Sequence, residues 1–196
     1  MSTAPRTEVA GEGIDRKMAL HFYGKQLLIR ELLPLLTPTA RVLIVYDGWM
    51  GSPDKLDWED LDLKKGYTLA KAADHCTSMT DGMVQWWAKE QGKEGKRSFV
   101  HAFPGGVNTD LMREVLPKWL QGPVKGLGKV LLTSPETCAE RLVKGTEKCA
   151  EQGKAWSNID SKGRVMEEKA VWTEEQMGKV AGHTWELIDK ALGGQA

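Results

Sequence analysis

Apolar residues recur at close to helical spacing near the start of the chain. They are Ile14, Met18, Phe22, Leu28, Leu32 and Leu35. This spacing predicts a helix over residues 14–36, with Pro34 and Pro38 marking its end. The apolar arc is wide, so we expect this helix to be buried on more than one side. Residues 1–13 are small and polar, and we expect an irregular segment there.

Short apolar runs further along the chain are typical of strands. The run from Arg41 to Tyr46 is rich in β-branched residues and shows no polar alternation. Such a run indicates a strand that is covered on both faces of a parallel sheet. A second strand is predicted from Ser98 to Phe103, where Pro104-Gly105-Gly106 interrupts it. Residues 156–166 have the pattern of a strand and hairpin around Asp160-Ser161-Lys162-Gly163.

The segments between these strands have helical character. We predict helices over residues 67–91 and 109–120, a further helix that opens at Thr133 to Glu136, and a last helix that starts at Thr173. Thr133 is the candidate N-cap of the third of these, with Glu136 at the capping-box position. Residues 47–66 are predicted to form a loop. Alternating helices and strands predict an α/β fold in which helices flank a parallel sheet of few strands.

Composition excludes several classes of partner. The chain has 196 residues, which suits one domain, and its 27 Lys and Arg residues balance its 27 Asp and Glu residues. A neutral balance gives no electrostatic case for nucleic acid or for an anionic membrane. No apolar run is long enough to span a bilayer, and the first residues lack the apolar core of a signal peptide. The three cysteines form no metal or redox motif, so we expect reduced thiols in a cytoplasmic protein.

The stretch Gly66-Tyr67-Thr68-Leu69-Ala70-Lys71 carries the clearest candidate chemistry. If the helix starts at residue 67, Tyr67 and Lys71 lie on one helix face. A lysine ammonium favours the phenolate, so we expect Lys71 to lower the pKa of Tyr67. A phenol tuned in this way can exchange a proton with a carbonyl or alcohol oxygen. The same pattern also fits a half-buried tyrosine beside a solvated lysine.

Taken in order, these elements and motifs resemble the short-chain dehydrogenase/reductase family. Residues 13–24 are similar to the family's long mid-sheet helix, and residues 42–51 to the strand and loop that carry its catalytic serine. Tyr67 and Lys71 match its Tyr-x-x-x-Lys motif, and residues 103–109 match its Pro-Gly-x-x-x-Thr loop. Residues 160–164 and 171–175 are similar to the tail of fungal members. The resemblance implies that residues 14–196 form the C-terminal half of a Rossmann-like three-layer fold.

The chain departs from the family's pattern in two ways. No predicted strand is followed by a Gly-x-x-x-Gly-x-Gly turn, the element that holds a dinucleotide pyrophosphate. Tyr46, Asp47 and Gly48 occupy the neighbourhood of the family's catalytic serine, and His21 stands in the place of its helix asparagine. The resemblance therefore implies a truncated member that lacks the coenzyme-binding half, and we expect no cofactor and no metal.

Three functions remain open. The first is a coenzyme-independent acid–base enzyme, a cyclase, isomerase or dehydratase of specialised metabolism, in which Tyr67 and Lys71 act on a carbonyl with Asp47 or His21 as the base. The residues expected to line its pocket are Trp49, Met50, Phe103 and Met112. The second is an oxidoreductase that uses NAD or NADP and whose N-terminal half is missing or supplied by a partner. The third is a non-catalytic scaffold.

The resemblance also implies an assembly. In the family, the mid-sheet helix and the Tyr-Lys helix pack against a twofold-related copy. Both segments here have broad apolar faces, and the strand at residues 41–46 would have an exposed edge. We therefore expect a homodimer built on residues 14–36 and 67–91.

Overall fold

Three short parallel strands form the centre of the structure. The computed structural model describes residues 5–91, 95–109 and 132–193. The strands are β1 (Arg41–Val45), β2 (Ser98–Ala102) and β3 (Trp156–Ile159), in the order β1-β2-β3. Leu43 pairs with Val100, and Val100 with Ser157. The predicted α/β fold with a small parallel sheet is confirmed.

Helices cover both faces of this sheet. Their bounds are residues 16–35 for α1, Leu69–Glu90 for α2, Pro135–Glu151 for α3 and Glu174–Gly193 for α4. One core packs α1, α2 and α4 on the sheet face that carries Phe99. A smaller core packs α3 on the opposite face, around Val100 and Ile159. Adjacent strand residues point to opposite faces, which is why Phe99 and Val100 belong to different cores.

A π-helical turn changes the face that α1 buries. The helix runs as Arg16–Met18, a π-helical turn Ala19–Tyr23, an α-helical part Gly24–Leu32 and a 3-10 turn Leu33–Leu35. A π turn holds one residue more than an α turn, so the later side chains rotate away from the ideal register. Gln26 and Ile29 are buried as a result, whereas Leu28, Leu32 and Leu35 are exposed. The prediction that this helix is buried on more than one side is wrong for its second half.

Two helix starts differ from the predictions. The helix α2 begins at Leu69, after the N-cap Thr68, whose side chain accepts a hydrogen bond from the Lys71 N–H. Tyr67 therefore precedes the helix. The N-cap of α3 is Ser134 and not Thr133, because the Ser134 hydroxyl accepts from the Thr137 N–H. The predicted helix over 109–120 lies almost wholly outside the described residues.

Aromatic residues fix α4 against α2. Trp86 and Trp87 of α2 surround Trp185 of α4, with ring centroids 5.7 and 5.5 Å away. The Tyr23 hydroxyl is 2.9 Å from His183 Nε2, which joins α1 to α4. Trp87 belongs to the larger core, and Trp86 and Trp185 pack against it. Among the described residues, no helix is long and apolar enough to cross a membrane.

Candidate functional site

The carboxyl ends of the three strands meet at one edge of the sheet. Ligands of parallel α/β sheets bind outside this edge, so this edge is the candidate site. Trp49 follows β1 and Phe103 follows β2, and their rings meet edge to face at 6.1 Å. Trp49 and Met50 are each about half exposed. Three of the four predicted pocket-lining residues thus lie near this edge, and Met112 lies outside the described residues.

Tyr67 is bound to a carboxylate and not to Lys71. Its hydroxyl donates to Oδ1 of Asp15 at 3.2 Å, a long hydrogen bond for two oxygens. Burial and then the Asp15 charge raise the pKa of Tyr67 to about 12. The expectations of a shared helix face and of a lowered pKa are therefore wrong. In this arrangement the phenol keeps its proton.

Asp15 is a buried junction at the start of α1. Its carboxylate accepts hydrogen bonds from the backbone N–H groups of Thr7, Lys17 and Met18 as well as from Tyr67. The bonds from Lys17 and Met18 make Asp15 the N-cap of the helix. Residues 5–13 contain no helix or strand beyond one bridge between Glu8 and Asp15. The tyrosine thus closes the junction between this segment and the helix.

Lys71 is exposed, and its ammonium makes no hydrogen bond or ion pair within the described part of the chain. Its ammonium lies over Gly66, since a Cβ added to Gly66 would be 3.2 Å from the Lys71 Nζ. Asp74, three residues further along α2, pairs with Lys55 at 3.4 Å. The lysine is therefore free to contact a ligand, but it does not tune Tyr67 here.

The two predicted bases lie near each other at the end of β1. His21 stacks on Tyr46 with ring centroids 5.2 Å apart. Burial, followed by the charges of Lys25 and Lys17, lowers the pKa of His21, so the ring is a neutral proton acceptor at pH 7. Asp47 follows Tyr46 and is half-buried, and its Oδ1 accepts from the Met50 N–H at 3.3 Å.

A buried charge cluster that the sequence did not reveal lies just below this edge. Asp81 of α2 is 1% exposed, and its Oδ1 accepts from His101 Nδ1 at 2.6 Å and from Asn158 Nδ2 at 2.5 Å. Lys169 Nζ lies 2.7 Å from Oδ2, as an ion pair without a well-aligned hydrogen bond. The Cα of Gly51 packs so closely on this carboxylate that a Cβ would collide with it.

The same cluster holds the loop after β1. Lys169 Nζ donates to the Gly51 carbonyl at 2.6 Å, and Asn158 Nδ2 donates to the Gly48 carbonyl at 2.9 Å. His101 has one satisfied ring nitrogen, since its Nε2 is buried without a hydrogen-bond partner among the described residues. The cluster therefore positions the loop that carries Asp47 and Trp49.

Hydrogen bonds from side chains to backbone groups hold the part of the loop that contains Asp57 and Asp60. His75 accepts from the Asp57 N–H through Nε2 and donates to the Leu61 carbonyl through Nδ1, each at 3.0 Å. Asp60 accepts from three backbone N–H groups, and these outweigh burial and lower the pKa of its carboxyl. The predicted loop over residues 47–66 fits these contacts. No group of three or more potential metal ligands occurs among the described residues.

The chain is similar to three fungal oxidoreductases. It is 35% identical to an oxidoreductase of Emericella nidulans over 108 residues, 34% identical to the NmrA-like family domain-containing oxidoreductase notO of an Aspergillus strain over 102 residues, and 30% identical to oxidoreductase andH of Emericella variicolor over 112 residues. These matches cover 54%, 50% and 56% of this chain, but only 31%, 29% and 32% of the relatives. The chain thus spans about a third of their length. No model of a known protein family matches it.

We predict that Lys169→Met strongly destabilises the fold. It removes the ammonium from a buried carboxylate and leaves Asp81 with only His101 and Asn158 as partners, which should cost about 3–5 kcal/mol of unfolding free energy. Urea denaturation measures this. Lys89→Met is the matched control, because Lys89 pairs with Glu174 at the surface and should lose about 0–1 kcal/mol. Adding Asp81→Asn to Lys169→Met should recover part of the loss, and equal effects of the two lysine variants would contradict the role of the cluster.

A second prediction separates the two roles of Tyr67. Tyr67→Phe removes its bond to Asp15 and should lower the unfolding free energy by about 0.5–1.5 kcal/mol. Lys71→Met should change it by less than about 0.5 kcal/mol, since Lys71 is exposed and unpaired. Thermal unfolding of both variants tests this. A Tyr67→Phe protein as stable as the parent would mean that the phenol does not hold Asp15 in solution.

Proposed function

We propose that this chain forms the substrate-facing part of a short-chain dehydrogenase/reductase-like oxidoreductase. The observation that carries the proposal is the similarity to three fungal oxidoreductases over about half of the chain. The parallel sheet supports it, since this architecture binds ligands outside the carboxyl ends of its strands. There, the aromatic surface of Trp49 and Phe103 with the nearby Asp47 carboxylate suits a small carbonyl-containing metabolite.

The described residues do not fit a dinucleotide. None of their three strands passes through a short glycine-rich turn into a helix, so no pyrophosphate cradle is formed by them. The spacing Gly-x-x-x-Gly-x-Gly does occur in the sequence at Gly122, Gly126 and Gly128, outside the described residues. We therefore propose that NAD or NADP is held mainly by protein other than the described part of this chain.

A coenzyme-independent acid–base enzyme is the second candidate. The lack of a pyrophosphate cradle in the described part favours it, together with two proton acceptors near the end of β1, Asp47 and the neutral His21. Such an enzyme would act as a cyclase, isomerase or dehydratase of specialised metabolism. In this candidate Tyr67 would have to leave Asp15 before it could protonate a carbonyl.

The cellular setting and assembly are further proposals. All three cysteines are buried free thiols, which suits a reducing compartment, and we propose that the protein is cytoplasmic. We propose a homodimer through α1, where Leu28, Leu32 and Leu35 form an exposed apolar stripe. Most of α2 is buried inside the chain, so α1 supplies the accessible part of the expected 14–36 and 67–91 interface.

For the coenzyme, we predict that the purified chain binds NADPH with a Kd no tighter than about 1 mM, because the described residues form no pyrophosphate cradle after any of their strands. Titration calorimetry measures this. A fusion to the unmatched part of the relative notO should bind NADPH in the micromolar range and oxidise it with a panel of aldehydes and ketones.

The outcomes separate the two candidates. A fusion protein that binds no NADPH would contradict the oxidoreductase. Turnover by the chain after exhaustive removal of NAD and NADP, lost on Asp47→Asn but kept on Asp54→Asn, would favour the coenzyme-independent enzyme. Asp54 is a matched control because it is an exposed acid of the same loop.

For the dimer, light scattering of the parent chain at micromolar concentration should give twice the chain mass of 21.8 kDa. Leu28→Lys combined with Leu32→Lys places two charges in the apolar stripe and should give a monomer. Val143→Lys, at a half-exposed position on α3, should leave the dimer intact. A monodisperse parent monomer would refute this interface.

A further inference from the structure

A cleft of about 450 Å³ lies between α3 and the segment that returns along β3 after Ile159. Its volume is in the range of ligand pockets, about 300–1,000 Å³. The two walls touch at Gly145 and Gly163, where a Cβ added to Gly145 would lie 2.5 Å from the Gly163 carbonyl oxygen. Gly163 has a φ of +73°, which favours glycine. Backbone packing therefore sets the width of the cleft at this point.

Cationic side chains dominate the lining of this cleft. They are Arg141, Lys144, Lys148, Lys162 and Arg164. One carboxylate, Glu167, also lines it, but Glu167 is ion-paired with Lys154 at 2.9 Å. The carboxylate is thus already matched by a cation that does not line the cleft.

Two of the five cations are also neutralised. Lys144 pairs with Glu140 at 2.6 Å, and Arg164 pairs with Asp160 at 2.6 Å. Arg141, Lys148 and Lys162 have no carboxylate within ion-pair distance in the described part of the chain. The cleft therefore holds an excess of three positive charges in a chain whose net charge is zero.

These three charges come from both walls. Arg141 and Lys148 lie seven residues apart on α3, which places them on one helix face, and Lys162 lies in the turn opposite. Glu147, on the same helix, acts on Lys144 but does not line the cleft. A concave surface lined by one sign of charge focuses its field on a counter-ion, and an arginine fork matches the oxygens of a phosphate.

We propose that this cleft binds a terminal diphosphate group, either as inorganic pyrophosphate or as the diphosphate end of a nucleotide or activated metabolite. The internal diphosphate of NADPH is esterified at both ends and carries less charge. The end phosphate of a terminal diphosphate carries a charge of about −1.5 to −2 at pH 7 and the linked phosphate about −1, so the group matches three unpaired cations. The cleft lies on the α3 side of the sheet, away from α1, α2 and α4. The proposal does not depend on the proposed oxidoreductase function, and its readout is binding.

Titration calorimetry of the full chain with inorganic pyrophosphate tests the proposal. We expect saturable binding of one pyrophosphate per chain, tighter than that of orthophosphate. Lys148→Gln and Lys162→Gln should each weaken it about tenfold, since each removes one charge-assisted contact. Lys190→Gln is the matched control, because Lys190 is an exposed lysine of α4 with no ion pair among the described residues. It should leave the affinity unchanged.

A parallel titration with ADP distinguishes the sources of the ligand. Affinity for ADP equal to that for pyrophosphate assigns the diphosphate alone as the recognised group, and higher affinity assigns a nucleotide. Either result supports the site if the same two variants weaken it. Absence of saturable pyrophosphate binding, affinity no better than for orthophosphate, or an equal loss in Lys190→Gln would overturn the proposal.

Discussion

The buried carboxylate of Asp81 is the constraint on which the sheet edge depends. Burying an ionised carboxylate costs several kcal/mol unless charge and hydrogen bonds compensate it. Here the compensation comes from His101 on β2, Asn158 on β3 and Lys169 beyond the hairpin. A single charge from α2 therefore ties together two strands and the segment that follows them.

The same cluster links the core to the candidate site. Lys169 and Asn158 each use a second contact to hold a carbonyl of the loop after β1, at Gly51 and Gly48. That loop carries Asp47 and Trp49, so their positions depend on the charge balance around Asp81. A substitution in the Asp81 cluster would therefore alter the surface where a substrate would bind, without direct contact between the cluster and the substrate.

The sequence allowed the layers of the fold to be predicted better than its polar contacts. The strands β1 and β2 were predicted within one residue of their ends, because continuous apolar runs depend only on local sequence. The exposed face of α1 could not be foreseen, since a π-helical turn breaks the period on which the prediction rests. The Asp81 cluster was missed because its members are far apart in the chain and only the parallel sheet brings them together.

Tyr67 shows why a motif does not fix its chemistry. The tyrosine and lysine occur at the expected spacing, but the N-cap at Thr68 starts the helix after the tyrosine and separates their directions. The phenol then meets Asp15, and a carboxylate holds a phenolic proton where an ammonium would help to release it.

The consequence is a coupling between chemistry and the first residues of the fold. Asp15 caps α1 and binds Thr7 as well as Tyr67, so its other bonds fix it where it is. Release of the phenol toward a substrate therefore requires only its own hydrogen bond to Asp15 to break, and at 3.2 Å this bond is as long as the one from the Met18 N–H. If Tyr67 moves alone, the cap on α1 survives. Proton transfer by this tyrosine would then be compatible with an unchanged helix, and the residual cost is the loss of one long hydrogen bond, about 1 kcal/mol.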